Sequence, residues 1–143
     1  MKSRIDHRSP LSLLVSASCL LLVAGCDGPA RVKVSGRVSR TDGAPVASAR
    51  VLFRSQETGS SANGITNAEG HYELGGLKKG DGVPPGRYQV AINESRGGWD
   101  NPKPRTINAV YESPTTSGLE CVVEASARSQ VYDLELKPPS KTK

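Results

Sequence analysis

The chain has 143 residues, three cysteines, 4% aromatic residues and a formal net charge of +5. This length suits one domain better than two. The basic residues are scattered and form no dense stripe, which argues against a nucleic-acid partner. With so few aromatic residues, the predicted core consists mostly of Val, Leu, Ile and Ala.

Residues 1–25 have the layout of an export signal. A net positive segment, 1–10, precedes an apolar run, 11–24, that is too short for the roughly twenty residues of a bilayer-spanning helix. The run ends in Val-Ala-Gly-Cys at 23–26, which resembles the bacterial lipobox. That resemblance implies cleavage before Cys26 and joining of its thiol to diacylglycerol. The alternatives are an ordinary secretory signal with a chance cysteine, or a buried apolar helix.

A lipidated Cys26 predicts a cell-envelope protein, anchored to the inner or outer membrane and facing the periplasm or the exterior. Residues 26–31 then form a short tether. Cys19 leaves with the leader and Cys26 is modified, so Cys121 has no partner for an intrachain disulfide. We therefore expect a monomeric domain that is stabilised by its hydrophobic core, with no cofactor.

Downstream of the tether, short segments alternate apolar and polar residues, as half-buried strands do. No segment sustains a helical period. The pattern predicts an all-β fold, an antiparallel β-sandwich of about seven strands over 32–137, followed by a disordered tail at 138–143. The predicted strands are 32–39, 49–54, a hairpin within 65–74, 87–93, a short edge strand at 107–111, 119–124 and 131–136. The predicted loops are 56–63, 75–86 and 94–105.

Several of these segments together resemble carboxypeptidase-regulatory-like domains, which have a transthyretin-like, immunoglobulin-like sandwich. The matching segments are 34–38, 43–46, 49–53, 66–74 and 84–90. The loop 79–86, the segment 111–119 and the ending 133–136 further resemble small lipoproteins of the planctomycete type. The resemblance covers 32–136 and implies a non-catalytic module, not a peptidase.

Residues that could carry chemistry are few. His71 is the histidine left after processing and could act as a base or ligand, but alternation favours a surface position just past a turn. A zinc site lacks a ligand set, so we predict no metal. No G-x-S-x-G elbow supports a serine nucleophile. Cys121 could be a redox thiol, but its apolar neighbours in alternation favour burial.

Two aspartates precede glycines and invite other readings. Asp42 and Asp81 lack the D-x-D-x-D-G spacing of a calcium loop, so we favour turn formation. The segment 80–82 lacks the glycine spacing and the following helix of a phosphate-binding loop.

Trp99 lies in a polar, glycine-rich loop. An exposed indole there could stack on a sugar or contact a protein partner; alternatively, the ring folds back and covers one end of the sandwich. We therefore expect a non-enzymatic, lipid-anchored module whose partner is an envelope protein, or alternatively a carbohydrate-binding module that uses Trp99.

Overall fold

A computed structural model describes residues 30–140, and two four-stranded sheets make up most of this part of the chain. A short 3₁₀-helix, Ala109–Glu112, lies between the fifth and sixth strands. The strands are β1 (Lys33–Arg40), β2 (Ala49–Arg54), β3 (Ser61–Ile65), β4 (His71–Glu73), β5 (Gly86–Glu94), β6 (Leu119–Val123), β7 (Ser129–Val131) and β8 (Leu134–Leu136). The predicted all-β sandwich is confirmed, with eight strands in place of about seven. The predicted leader, Cys26, most of the tether and residues 141–143 lie outside the described residues.

The two sheets differ in strand direction. The second sheet has the order β3-β2-β5-β6 and is antiparallel throughout. In the first sheet β1 is antiparallel to β4 but parallel to β7 and β8, with Val34 opposite Gln130 and Val38 opposite Leu134. The first sheet is therefore mixed, which the expectation of a purely antiparallel sandwich missed.

The core lies between the two sheets and follows the predicted alternation. Val34 and Val38 of β1 face Val51 and Phe53 of β2, and all four side chains are buried. Cys121 is also buried, as predicted, and forms no disulfide within the described residues. Apolar packing therefore carries the stability of residues 30–140.

The predicted hairpin within 65–74 is wrong in its pairing, although its turn is right. Gly70 has φ +84° and its N–H donates to the Asn67 carbonyl, as the predicted turn requires. The Thr66 N–H, however, still donates to Ala49 of the second sheet, while the Gly70 carbonyl accepts from Val38 of the first. The turn therefore crosses from one sheet to the other. Just beyond β4, the chain meets β3 again at an isolated bridge between Asn63 and Gly75.

Residues 61–63, predicted as part of a loop, belong to β3. Ser61, Ala62 and Asn63 are weak strand formers, so their composition hides the strand. Pairing with β2 overrides that preference, with Asn63 opposite Leu52. Tertiary pairing, not local sequence, defines this edge strand.

The predicted edge strand at 107–111 is a 3₁₀-helix instead. The Asn108 side chain accepts from the Val110 N–H at 3.0 Å and caps the helix start. Ile107 and Tyr111 are both buried, as apolar side chains are expected to be, but the backbone between them is helical and not extended.

The predicted final strand is split into β7 and β8 at Tyr132 and Asp133. The Asp133 carboxylate accepts from the Arg37 N–H at 2.8 Å and so takes the place of a carbonyl in the ladder. The Tyr132 hydroxyl donates to the Glu120 carbonyl of β6, which joins the two sheets at this edge.

Chain direction defines two opposite ends of the sandwich. We call residues 31–32 and the loop 75–86 the entry end; it is closed by reciprocal hydrogen bonds between Val32 and Val83 at 2.8 Å. β5 starts there and runs the length of the second sheet. The loop 95–105 that follows β5 belongs to the other end, which we call the distal end. At about 3.3 Å per residue, the nine residues of β5 separate the two ends by about 26 Å.

Candidate functional site

At the entry end, the side chain of Asp81 organises the loop. Its carboxylate accepts from the N–H groups of Gly76 at 2.6 Å, Leu77 at 3.2 Å and Lys78 at 3.3 Å. The hydrogen bond from Gly76, followed by those from Lys78 and Leu77, lowers the pKa of Asp81 below its usual range. Asp81 therefore orders a turn, as predicted, and its acceptor capacity is occupied by backbone amides.

Arg31 joins this loop to the start of β1. Its Nε donates to the Asp81 carbonyl at 3.1 Å, and its Nη2 donates to the Gly82 carbonyl at 3.0 Å. The guanidinium also lies 3.7 Å from the Asp81 carboxylate. The last residue of the predicted tether is thus bonded to the loop.

The tip of this loop presents an apolar side chain beside two cations. Leu77 is 97% exposed, and Lys78 and Lys79 are exposed too. No role for the tip was predicted from the sequence, because a leucine between a glycine pair and two lysines matches no known motif. Because hydrogen bonds to Asp81 hold the backbone at Leu77 and Lys78, this exposed apolar side chain has a fixed position on the surface.

At the distal end, Glu94 fixes the base of the loop 95–105. Its carboxylate accepts from the N–H groups of Thr106 at 3.0 Å and Ile107 at 3.3 Å, and from the Thr106 hydroxyl. Further out, Arg96 and Lys103 exchange two hydrogen bonds: the Lys103 N–H donates to the Arg96 carbonyl at 2.7 Å, and the Arg96 Nε donates to the Lys103 carbonyl at 3.0 Å. The loop therefore leaves the sandwich as a narrow projection.

Trp99 lies at the tip of this projection. Its side chain is 102% exposed, so the alternative in which the ring folds back over the sandwich is wrong. Gly97 has φ +82°, and a Cβ on Gly98 would meet no atom within 4 Å. The indole therefore presents both faces to solvent, which is what stacking on a ligand requires.

Beside the base of this loop, the outer face of the second sheet forms an open depression of about 600 Å³. Register brings its members together, because Arg50 of β2 lies opposite both Asn93 of β5 and Ile65 of β3. The polar residues of its lining are Ser48, Arg50, Asn63, Asn93, Glu94 and Ser95, and Leu52 and Ile65 add apolar surface. The outward positions of β2 and β5 were readable from the sequence, but their pairing was not.

The remaining candidate residues are separate from this depression. His71 is exposed on β4, as predicted. Burial raises the pKa of the Cys121 thiol to about 11, so it is almost wholly protonated at neutral pH, and its thiolate is the reactive form. Asp42 forms a turn with Arg40, whose Nη2 lies 2.8 Å from its carboxylate. Cys26 lies outside the described residues.

Two kinds of feature are absent from residues 30–140. This stretch contains no group of three or more His, Cys, Asp or Glu side chains suited to a metal ion. Nor does any helix within it have the length and apolar character needed to cross a membrane.

Fold and loops together define a class: an immunoglobulin-like β-sandwich whose aromatic and polar groups lie on its loops and on one outer face. Residues 33–117 match the model of the carboxypeptidase regulatory-like domain. The match covers more than half of the chain, and the protein belongs to this family, which is generally non-catalytic. No curated protein matches the chain. The matched range ends before β6, so the last three strands complete both sheets beyond it.

Proposed function

We propose that this protein is a non-catalytic binding module of the cell envelope, anchored through lipid on Cys26 and presenting its distal end to a partner. The observation that carries the proposal is the separation of the two ends. The chain enters at Arg31, whereas Trp99 lies beyond the far end of β5. An anchor at Cys26 directs the indole away from the membrane.

The family supports a binding role over a catalytic one. The titratable side chains singled out above do not converge: His71 is exposed on an edge strand, and Cys121 is buried in the core. The proposed partner is an envelope protein that contacts the Trp99 loop. A second exposed aliphatic side chain, Leu77, lies on the loop 75–86, which Arg31 bonds to the start of β1, and is not part of the Trp99 loop.

A carbohydrate ligand is the second candidate, and the depression on the second sheet favours it. Sugars are bound by amide, hydroxyl and charged side chains that exchange hydrogen bonds with ring hydroxyls, together with an aromatic ring that stacks on the sugar face. Asn63, Asn93 and Arg50 supply the first kind of contact. Trp99, four residues beyond Ser95 of the lining, supplies the second.

Anchoring is tested on protein isolated from cells. Mass spectrometry of the N-terminal peptide is expected to show acyl chains on Cys26, and Cys26→Ala should move the protein from the membrane to the soluble fraction. An unmodified N-terminal peptide from membrane-bound protein contradicts the anchor.

The partner is tested with a glycan array and with pull-downs from envelope extracts. The variant is Trp99→Ala, and the matched control is Val131→Ala, which removes an exposed apolar side chain from β7 of the other sheet. Glycan binding that Trp99→Ala abolishes and Val131→Ala preserves supports the carbohydrate candidate. Capture of one envelope protein with the same dependence supports the first. Binding that survives Trp99→Ala contradicts both.

A further inference from the structure

Leu77 and Trp99 stand apart among the large apolar side chains of residues 30–140, because both are almost fully exposed. Trp99 has a place in the proposed function and Leu77 has none. Leu77 is followed by Lys78 and Lys79, both of which are exposed. An exposed apolar side chain next to two cations matches a bilayer interface, where the hydrocarbon side chain inserts among the headgroups and the cations contact phosphate.

The loop holds this arrangement in place before any contact is made. The N–H groups of Leu77 and Lys78 both donate to the Asp81 carboxylate. The tip of the loop is therefore already ordered before binding. Binding then avoids the conformational entropy cost that a flexible segment would have.

The distance to the predicted anchor is short. Four residues lie between Cys26 and Arg31, and the five steps along the chain that join them span at most about 18 Å when fully extended. Arg31 in turn is bonded to the carbonyls of Asp81 and Gly82. An anchor on Cys26 thus keeps this loop next to the headgroup layer.

We propose that Leu77, Lys78 and Lys79 form a membrane-docking tip for an anionic lipid bilayer, which fixes the orientation of the anchored domain. The inference rests on the lipid anchor of the proposed function. Glu73 is the acidic group closest to the tip on the neighbouring strand, since its carboxylate approaches Gly80. Asp81 faces inward onto backbone amides and Arg31. The three exposed groups Lys78, Lys79 and Glu73 thus sum to one positive charge, and removing Glu73 should strengthen docking.

The test supplies the tether chemically, so its outcome does not depend on acylation in the cell. The chain from Cys26 onwards contains all the described strands. Its Cys26 thiol is coupled to a maleimide lipid in vesicles of neutral phosphatidylcholine, with or without anionic phosphatidylglycerol. Cys121 is buried and protonated and stays unlabelled. Limited trypsin cleavage after Lys78 and Lys79 is then compared with cleavage after Arg96 in the distal loop of the same molecule.

We expect the ratio of entry-end to distal-end cleavage to fall at least fivefold when anionic lipid is present, because docking covers the tip. One lysine near an anionic surface contributes about a fivefold change in binding. Leu77→Asp should restore the ratio measured on neutral vesicles, and Glu73→Gln should lower the ratio further. A ratio that is the same on neutral and anionic vesicles overturns the proposal, as does protection that persists in Leu77→Asp.

A second readout uses the chain's one tryptophan. Trp99→Phe combined with Leu77→Trp moves the indole to the entry end. Lipids brominated near the headgroup should quench this indole and leave Trp99 of the unmodified chain unquenched. Equal quenching at the two positions also overturns the docking proposal. The anchor itself is judged separately, by the mass of the N-terminal peptide from cells.

Discussion

At each end of the sandwich, one carboxylate side chain accepts hydrogen bonds from backbone N–H groups, but it does so at a different place in the loop. Each has a carboxylate that accepts from backbone N–H groups: Asp81 at the entry end and Glu94 at the distal end. Asp81 bonds to residues at the tip of its loop, whereas Glu94 bonds to Thr106 and Ile107 at the base. A carboxylate near a tip fixes the tip. A carboxylate at a base fixes the direction of the loop and leaves the tip side chain in solvent.

This difference agrees with the different tasks we propose for the two ends. A surface that lies on a membrane gains from a rigid backbone, since little entropy is then lost on contact. A projecting indole that meets a partner gains from access from all sides. The comparison depends on β1 and β5, which cross the sandwich and keep the ends apart.

The most disruptive test of the comparison is therefore a change in the middle of β1. A Cβ on Gly36 would overlap the carbonyl oxygen of Tyr132, at the point where β7 and β8 separate. Gly36→Ala should lower the free energy of unfolding by about 3 kcal/mol, because a backbone atom cannot move aside as a side chain can.

Urea unfolding measures this effect, and Gly98→Ala is the control. A Cβ on Gly98 meets nothing within 4 Å, so its free energy of unfolding should change by less than about 0.5 kcal/mol. Equal stability of the two variants would show that β1 does not pass this close to Tyr132.

The second prediction concerns the base of the distal loop. Glu94→Ala leaves the N–H groups of Thr106 and Ile107 without their acceptor. We expect a loss of about 2 kcal/mol in unfolding free energy, measured by thermal and urea unfolding. Glu57→Gln, a change at an exposed loop residue, serves as the control. If Glu94→Ala is as stable as that control, the hydrogen bonds from Thr106 and Ile107 to Glu94 do not hold the base of the loop.

Much of the sandwich was predictable from the sequence because its inward faces alternate strictly. Val34, Val51 and Val90 were read correctly from period two alone. The errors fall where tertiary pairing or a side-chain acceptor replaces the local signal. Asn63 is in a strand because β2 is beside it, and Asp133 interrupts a strand because its carboxylate takes the place of a carbonyl.

The candidate site was predictable in part. Trp99 was singled out by its loop composition, and its full exposure agrees with that interpretation. The depression was not predictable, because Arg50 and Asn93 become neighbours through register. Leu77 was missed for a related reason: its significance comes from the Asp81 hydrogen bonds and from Arg31, both distant from any motif.

The third prediction addresses the entry-end tip. Asp81→Ala should speed amide exchange at Leu77 and Lys78 about tenfold or more, because the acceptor that protects those amides is removed. Exchange in β5 should stay unchanged. Asp100→Ala, in the distal loop, is the control and should leave the exchange rates at Leu77 and Lys78 as they are.

The same loop should respond to acid. The pKa of Asp81 is lowered in the folded protein, so its stabilising effect is complete above the unfolded value of about 3.9 and is lost as the pH falls through the folded value. The Gly76 amide resonance should therefore titrate with a midpoint below about 3.9. A midpoint above that value would show that the carboxylate does not bind these amides.

The smallest expected effect is on stability at the distal tip. Trp99→Ala removes a large apolar side chain, and in a core such a change costs several kcal/mol. Here the side chain is fully exposed, so the free energy of unfolding should stay within about 0.5 kcal/mol of the unsubstituted protein. Leu77→Ala, in the loop 75–86, should likewise leave the free energy of unfolding nearly unchanged. A clear loss of stability in Trp99→Ala would mean that the indole packs on the sandwich in solution, and its role as a free contact surface would then be lost. A Trp99→Ala variant that keeps its stability but loses binding would show that the indole contacts a ligand and has no structural role.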